Sequence, residues 1–304
     1  MLTQGKFKID FIGIGVMKAA TSWIFECLKE HPEICVCSEK EPHFFDWPFR
    51  YKKGLEYYYS LYEHCPQSKI KGEYTASYIR FPQALSLIHK HFPDVKLIVS
   101  LRNPIDRAFS QYLYNVQLGG RLSVYKSFRE ALENDQDNIV ERGFYYKQLN
   151  SCFKTFPKEQ VLILFFEDLK NDPLKFLKEI YSFLGLRDKN FIPSLINKKV
   201  LKTGSKSAQS KIPFLSKTIF KVGSWLNKFP KVKSFINKSD LMEYLRKVVK
   251  LNRKISFKSK NEYVMKTSID EETRKYLYNT YKDDIEKLEN LLNINLSSWK
   301  EGVD

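Results

Sequence analysis

Short apolar runs bounded by glycine, proline or polar residues alternate along the chain with segments whose apolar positions recur every three or four residues. The first run holds Phe7, Ile9, Phe11, Ile12 and Ile14 and carries Gly13 and Gly15 at its end. Trp23, Ile24, Phe25, Cys27 and Leu28 follow at helical spacing, so Phe7 to Leu28 reads as strand, tight turn and helix. Ile34, Val36 and Cys37 mark a short extended segment past the His31-Pro32 break. Lys69 to Glu73, Val95 to Leu101 and Val161 to Phe166 read as further strands. Helical periodicity runs through Leu55 to Tyr62, Pro82 to His91, a segment opening at Pro104, and one holding Leu149, Cys152 and Phe153. Another starts at Pro173, passes through Phe176, Ile180, Phe183 and Leu184, and ends at Gly185. The last helix, Asp270 to Leu292, begins with acids at its positive dipole end and turns Leu277, Tyr281, Ile285 and Leu288 to one side. This alternation predicts an α/β fold: one domain over residues 1–304, with a parallel sheet of four or five strands flanked by helices.

Composition supports a folded core, with 43% hydrophobic and 15% aromatic residues. No apolar run approaches the ~20 residues of a membrane span. The N-terminus lacks a charged segment followed by an apolar stretch, so no signal peptide and a cytoplasmic location are expected. Five cysteines (Cys27, Cys35, Cys37, Cys65, Cys152) are odd in number, and Cys35-Val36-Cys37 lacks a second close pair for zinc. All five are expected as reduced thiols.

The net charge of +16 changes the picture because it is local. Between Ile196 and Lys260, 18 Lys and Arg stand against two acids, Asp240 and Glu243, and the surplus of 16 equals the value for the whole chain. A basic lid or insert is expected at about 196–260, directed at an acidic partner or a surface rather than at nucleic acid. Within it, Ile212, Leu215, Ile219, Val222, Trp225, Leu226 and Phe229 make an apolar helical stripe. It reads as a helix covering the core, or as a peripheral membrane contact over 212–229 suited to a lipid-linked acceptor.

Three stretches carry candidate chemistry. A strand–turn–helix such as Phe7 to Leu28 aims backbone N–H groups and the positive helix end at one spot, which suits an anion. Lys18 adds a charge and Thr21 and Ser22 add hydroxyls. A Walker loop requires Gly immediately before the Lys, and Met17 stands there, so a nucleoside triphosphate with magnesium is not the expected ligand. The second stretch, Ser38 to Trp47, gathers carboxylates, an imidazole and three aromatics. Pro42 biases Glu41 away from helix, so Glu41 and His43 are expected on extended backbone facing the same side. A carboxylate beside apolar rings can have a raised pKa and act as a general base. The third stretch is Arg102-Asn103-Pro104 at a strand tip, with Ser110 two turns into the next helix. Arg102 offers a fork of donors for a phosphate. Glu73, Thr75 and Ser77 follow another strand tip and are candidates for the cleft wall. Glu167-Asp168 after the last strand reads as capping the next turn.

Together these stretches resemble a known family. Gly13-x-Gly15-Val16-x-Lys18-x-x-Thr21-Ser22 resembles the 5′-phosphosulfate-binding loop of the sulfotransferases, which use 3′-phosphoadenosine 5′-phosphosulfate (PAPS). Leu101-Arg102-Asn103-Pro104-x-Asp106-Arg107-Ala108-x-Ser110 is similar to their 3′-phosphate-binding strand and helix. Lys40-Glu41-Pro42-His43-Phe44-Phe45 resembles a segment of the heparan-sulfate and carbohydrate branch, whose Glu is the proposed base. Gly143-Phe144-Tyr145 is similar to a segment that approaches acceptor and cofactor. One departure stands out: Tyr74 follows Glu73 where the similar carbohydrate enzymes commonly carry Lys.

The resemblance implies a P-loop-like fold and sulfuryl transfer from PAPS, without a metal, to a hydroxyl or amine of a carbohydrate, glycoconjugate or other small acceptor. It implies Glu41 as base, His43 assisting and Lys18 stabilising the leaving phosphate. Lys18, Ala19, Ala20, Thr21, Ser22, Trp23, Arg102 and Ser110 would bind the cofactor, joined by Lys206 and Ser207 from a basic loop. Glu73, Thr75, Ser77 and Tyr145 would meet the acceptor. Two alternatives stand beside this reading: a nucleotide-dependent kinase, and a non-catalytic protein binding polyanions or membrane surfaces.

Overall fold

Every apolar run named above becomes a strand of one sheet. The computed structural model describes residues 8–67, 69–117, 121–134, 136–196 and 268–300. The strands are β1 (Phe11–Gly15), β2 (Ile34–Val36), β3 (Ile70–Tyr74), β4 (Lys96–Leu101) and β5 (Val161–Phe165). They lie in the order β2-β3-β1-β4-β5, and all pairings are parallel. The helices are α1 (Thr21–Glu30), α2 (Pro48–Tyr51), α3 (Gly54–Ser60), α4 (Pro82–His91), α5 (Pro104–Gln117) and α6 (Phe128–Asn134). They continue with α7 (Gln136–Ile139), α8 (Tyr145–Phe153), α9 (Phe166–Asn171), α10 (Pro173–Leu184) and α11 (Glu271–Leu292).

Crossover helices cover both faces of the sheet, which is why its strands read as nearly continuous apolar runs. Side chains alternate between the faces. Phe11, Ile98 and Leu164 pack with Trp23 and Ile24 of α1 and with Phe176 and Ile180 of α10. Ile12, Ile14, Leu97 and Val99 pack on the other side with α4, α5, α8 and α11. Helix ends follow local chemistry. Asp172 accepts from the amides of Leu174 and Lys175, Pro173 opens α10, and Gly185 closes it at φ 77°. Asp270 accepts from the Thr273 amide at 2.8 Å, and α11 buries Leu277, Tyr281, Ile285 and Leu288, the stripe expected from the sequence.

The central strand is β1. The chain leaves it for β2, returns to β3 beside β1, then crosses β1 to reach β4. That reversal leaves a crevice at the carboxyl ends of β1, β3 and β4, where open α/β sheets bind ligands. The basic segment does not enter this description: residues 197–267 lie outside the described residues, and with them Lys206, Ser207 and the apolar stripe over 212–229. Among the described residues no helix is long and apolar enough to cross a membrane.

The cysteines correct one expectation. Cys35 in β2 and Cys65 beyond α3 form a disulfide, while Cys27, Cys37 and Cys152 are buried free thiols. Spacing along the chain did not show this pairing, because only the return of the chain after α3 to the end of β2 brings the two cysteines together. Disulfides are rare in reducing compartments, so the thiol argument for a cytoplasmic location falls away. The bridge spans 30 residues and encloses the whole Ser38 to Trp47 stretch. Cys65→Ser is expected to cost roughly 3 kcal/mol through the freed loop entropy of the unfolded chain. A urea melt reads this as a lower midpoint, and an unchanged midpoint contradicts it.

Candidate active site

The loop after β1 is braced from β3. The Tyr74 ring lies against Gly13 so closely that a Cβ there would stand 2.2 Å from Cδ2, which is why only glycine fits. The Tyr74 hydroxyl donates to the Gly15 carbonyl at 2.8 Å, and the Thr75 amide donates to the Gly13 carbonyl at 2.8 Å. Lys18 and Ala20 adopt left-handed backbone, at φ 74° and 63°, a conformation uncommon outside glycine and concentrated at functional sites. Ala20 precedes α1 without a side-chain cap. The first-turn amides of Thr21, Ser22 and Trp23 therefore form an uncapped positive helix end.

Two cations meet at this loop. Arg102, leaving the tip of β4, donates from Nη1 to the Lys18 carbonyl at 3.2 Å, and its guanidinium lies 4.6 Å from the centre of the Phe166 ring. The Lys18 ammonium sits 4.0 Å from the centre of the Tyr114 ring. Burial, and then the charge of Arg102, pushes Lys18 down to about 8; burial also lowers Arg102. Asp106 and Glu167 oppose that lowering at Arg102, but their hydrogen bonds go elsewhere. Asp106 pairs with Arg274 at 3.1 Å, and Glu167 accepts from the Asn103 amide at 3.2 Å rather than capping its own turn. The Arg102 Nε is buried without a hydrogen-bond partner. Two desolvated like charges and an unmet donor at an uncapped helix end fit a polyanion.

The second half of the site is the Ser38 to Trp47 stretch. Glu41 and His43 both take left-handed backbone, at φ 57° and 51°, rather than the extended backbone expected. They still face each other, with His43 Nε2 3.5 Å from Glu41 Oε2. Lys40 Nζ lies 3.3 Å from Glu41 Oε1. Behind His43, Nδ1 lies 3.1 Å from Asp46, and the Ser77 hydroxyl donates to Asp46 at 2.5 Å. Trp47 stacks on the imidazole at 4.0 Å. The expected raised Glu41 pKa is not found. Burial alone raises this carboxyl, but His43 and Lys40 outweigh burial and hold it down to about 2. Burial acts to lower His43, and its bonds to Asp46 and Glu41 lift it instead to about 9. At neutral pH the pair is an imidazolium and a carboxylate.

The sulfotransferase domain family matches residues 8–249. The chain belongs to this family. It is 34% identical over 186 residues to human heparan sulfate glucosamine 3-O-sulfotransferase 6, a match covering 59% of this chain and 54% of that protein. It is 27% identical over 309 residues to the membrane-associated sulfotransferase kil1 of Dictyostelium discoideum, covering 93% of this chain and 65% of that protein. The chain thus spans about half the length of its heparan sulfate relatives. A sulfotransferase from Alicyclobacillus acidocaldarius shares the fold, with a TM-score of 0.66 at 21% identity over 97% of this chain and 100% of that one.

Within this sulfotransferase domain, the fold brings several of the candidate residues together. Lys18 to Ser22 lie at the loop after β1 with Arg102 bonded to it from the β4 tip, Ser110 is half-buried on α5, and Ser77 joins His43 through Asp46. Trp23 sends its indole N–H away to the Leu195 carbonyl, so only its backbone serves the loop. Glu73 and Thr75 do not line the cleft. Both are fully buried, because Glu73 accepts from Thr75 at 2.6 Å, Tyr58 at 2.9 Å and Tyr78 at 3.2 Å inside the core. Tyr145 is likewise buried, and its hydroxyl donates to the Arg102 carbonyl at 2.8 Å. It holds Arg102 instead of meeting an acceptor. Asp46 is the residue sequence reasoning missed, although the His43-x-x-Asp46 spacing was visible.

Proposed function

We propose that this chain transfers a sulfuryl group from PAPS to a hydroxyl or amine of a carbohydrate or glycoconjugate. The observation that carries the reading is the pair of half-buried cations, Lys18 on a loop braced by Tyr74 and Arg102 at the β4 tip against it, with the Glu41–His43–Asp46 set held from the same turn by Ser77. Kinship with heparan sulfate glucosamine 3-O-sulfotransferases supports the carbohydrate acceptor.

The donor supplies the activated sulfuryl group. The amides of Thr21, Ser22 and Trp23, with Lys18, hold its 5′ end. Arg102 and Ser110 hold the 3′-phosphate. The Lys18 ammonium stabilises negative charge growing on the departing phosphate oxygen. Glu41 takes the acceptor proton, while His43, fixed by Asp46, Ser77 and Trp47, orients the carboxylate. No observation favours the kinase alternative.

Calorimetry with adenosine 3′,5′-bisphosphate tests the donor site. Binding in the micromolar range, weakened by salt, is expected. No heat at millimolar ligand overturns the reading.

A further inference from the structure

The turn after β3 touches both halves of the site. On one side Tyr74 and Thr75 hold the Gly15 and Gly13 carbonyls of the donor loop. On the other, Ser77 holds Asp46, and the Tyr78 hydroxyl accepts from the amides of Phe44 at 2.9 Å and Phe45 at 3.4 Å. Those amides lie between His43 and Asp46, in a stretch without helix or strand to hold its backbone. Tyr78 in turn donates to Glu73, which Tyr58 and Thr75 also satisfy. A buried carboxylate costs several kcal/mol unless it is bonded in this way. A neutral residue would fill the space without that cost. The two tyrosine hydroxyls share Glu73 Oε1 and Thr75 takes Oε2; an apolar side chain would leave all three without an acceptor, Tyr78, which reaches the catalytic stretch, among them.

We propose that Glu73 and Tyr78 are positioning residues: through the Tyr78 hydroxyl, the buried carboxylate sets the backbone of Phe44 and Phe45 and so aims His43 at Glu41. This rests on the sulfuryl-transfer reading for what the aim accomplishes, but the geometry it asserts can be tested alone. Neither residue touches the imidazole. The groups that do face it are Glu41, Asp46, Ser77 and Trp47, with Lys40 beyond Glu41 and, behind, the Glu73 carboxyl, which burial lifts to about 7 against the three hydroxyls that hold it down. Other anchors of the stretch, such as the Glu39–Arg50 pair at 2.7 Å, do not involve Tyr78.

The test uses the full chain with Tyr78→Phe, which deletes one oxygen. Glu73→Met keeps the length, removes both acceptor oxygens and is the second variant should Tyr78→Phe fail to fold. Three readouts are taken: the His43 titration by NMR, the affinity for adenosine 3′,5′-bisphosphate, and turnover of PAPS with N-sulfated heparan oligosaccharides. In either variant the His43 proton affinity is expected to fall at least tenfold, with nucleotide affinity within twofold of wild type. Turnover falls at least tenfold through kcat, with the PAPS KM unchanged. A wild-type His43 titration in both variants overturns the proposal. So does an equal loss of nucleotide affinity, which marks a general loosening of the fold. Absence of nucleotide binding or turnover in the wild-type chain instead overturns the sulfuryl-transfer reading and leaves the His43 comparison decisive for the proposal.

Discussion

Replacing Lys18 by Met, which keeps the apolar length of the side chain and removes its charge, is expected to lower kcat by about 10²–10³, the usual loss when one preorganised donor at a developing charge is removed. Nucleotide affinity should fall much less, because Arg102 and the first-turn amides of α1 remain. The position of Lys18 also fixes a pH dependence. Burial and the charge of Arg102 bring the ammonium down to about 8 from its ordinary 10.5. The charged form is the one that stabilises a leaving phosphate. In the free protein, therefore, kcat/KM for the donor should decline as pH rises through about 8. A bound polyanion favours the charged ammonium, so the alkaline limb of kcat should lie at higher pH than that of kcat/KM. Coincident limbs, or undiminished turnover in Lys18→Met, would show that this ammonium does not act on the leaving group. The same depressed pKa has a stability consequence of opposite sense to an ion pair: folding favours the neutral amine, so without nucleotide the domain gains stability as pH rises from about 8 toward 10.5.

Much of this arrangement could be read before any coordinates. The strands showed because a parallel sheet covered on both faces demands apolar runs, and β4 ends at Leu101 because Asn103 caps and Pro104 starts α5; the Asn103 side chain accepts from the Ile105 amide at 2.9 Å. Lys18 and Arg102 were legible because a positive loop at a strand tip has few purposes. What the sequence concealed was direction. Glu73, Thr75 and Ser77 lie together at one strand tip, yet Glu73 turns inward to the hydroxyls of Tyr58 and Tyr78 and Thr75 turns inward to Glu73, while Ser77 turns to Asp46. Inward or outward depends on partners far along the chain, and α3 supplies Tyr58 from 15 residues upstream. The Tyr74 departure has the same origin. Its side chain packs under Gly13 and bonds Gly15, so the position braces the donor loop and is closed to an acceptor. The low pKa of Glu41 was hidden for a related reason. Aromatic neighbours suggested desolvation, but folding places Lys40 and a charged His43 within about 3.5 Å, and at that range opposite charges prevail over partial burial.

Glu41→Gln should be the most severe substitution on the acceptor side. The amide keeps the size of the carboxylate and cannot take a proton, so turnover is expected to fall about 10²–10⁴ with adenosine 3′,5′-bisphosphate affinity unchanged. A carboxylate held down to about 2 is a weak base in isolation. It becomes a stronger one if the acceptor displaces Lys40 or exchanges hydrogen bonds with His43, since each departing partner releases part of the depression. His43 reports on this directly. Its proton affinity is raised to about 9 by Asp46 and Glu41 together. Glu41→Gln should lower it while leaving Asp46 in place, and Asp46→Asn should lower it while leaving Glu41 in place. The stability signs follow. The raised His43 contributes stability that is complete below its ordinary 6.5 and lost as pH climbs through about 9. The depressed Glu41 contributes above its ordinary 4.5 and loses that contribution as pH falls toward about 2. Between those limits the ion pair is intact, so the acid limb of kcat/KM should be flat down to about pH 5. An acid limb near 6.5 that persists in Glu41→Gln would mean that neutral His43 takes the proton and that Glu41 only orients it.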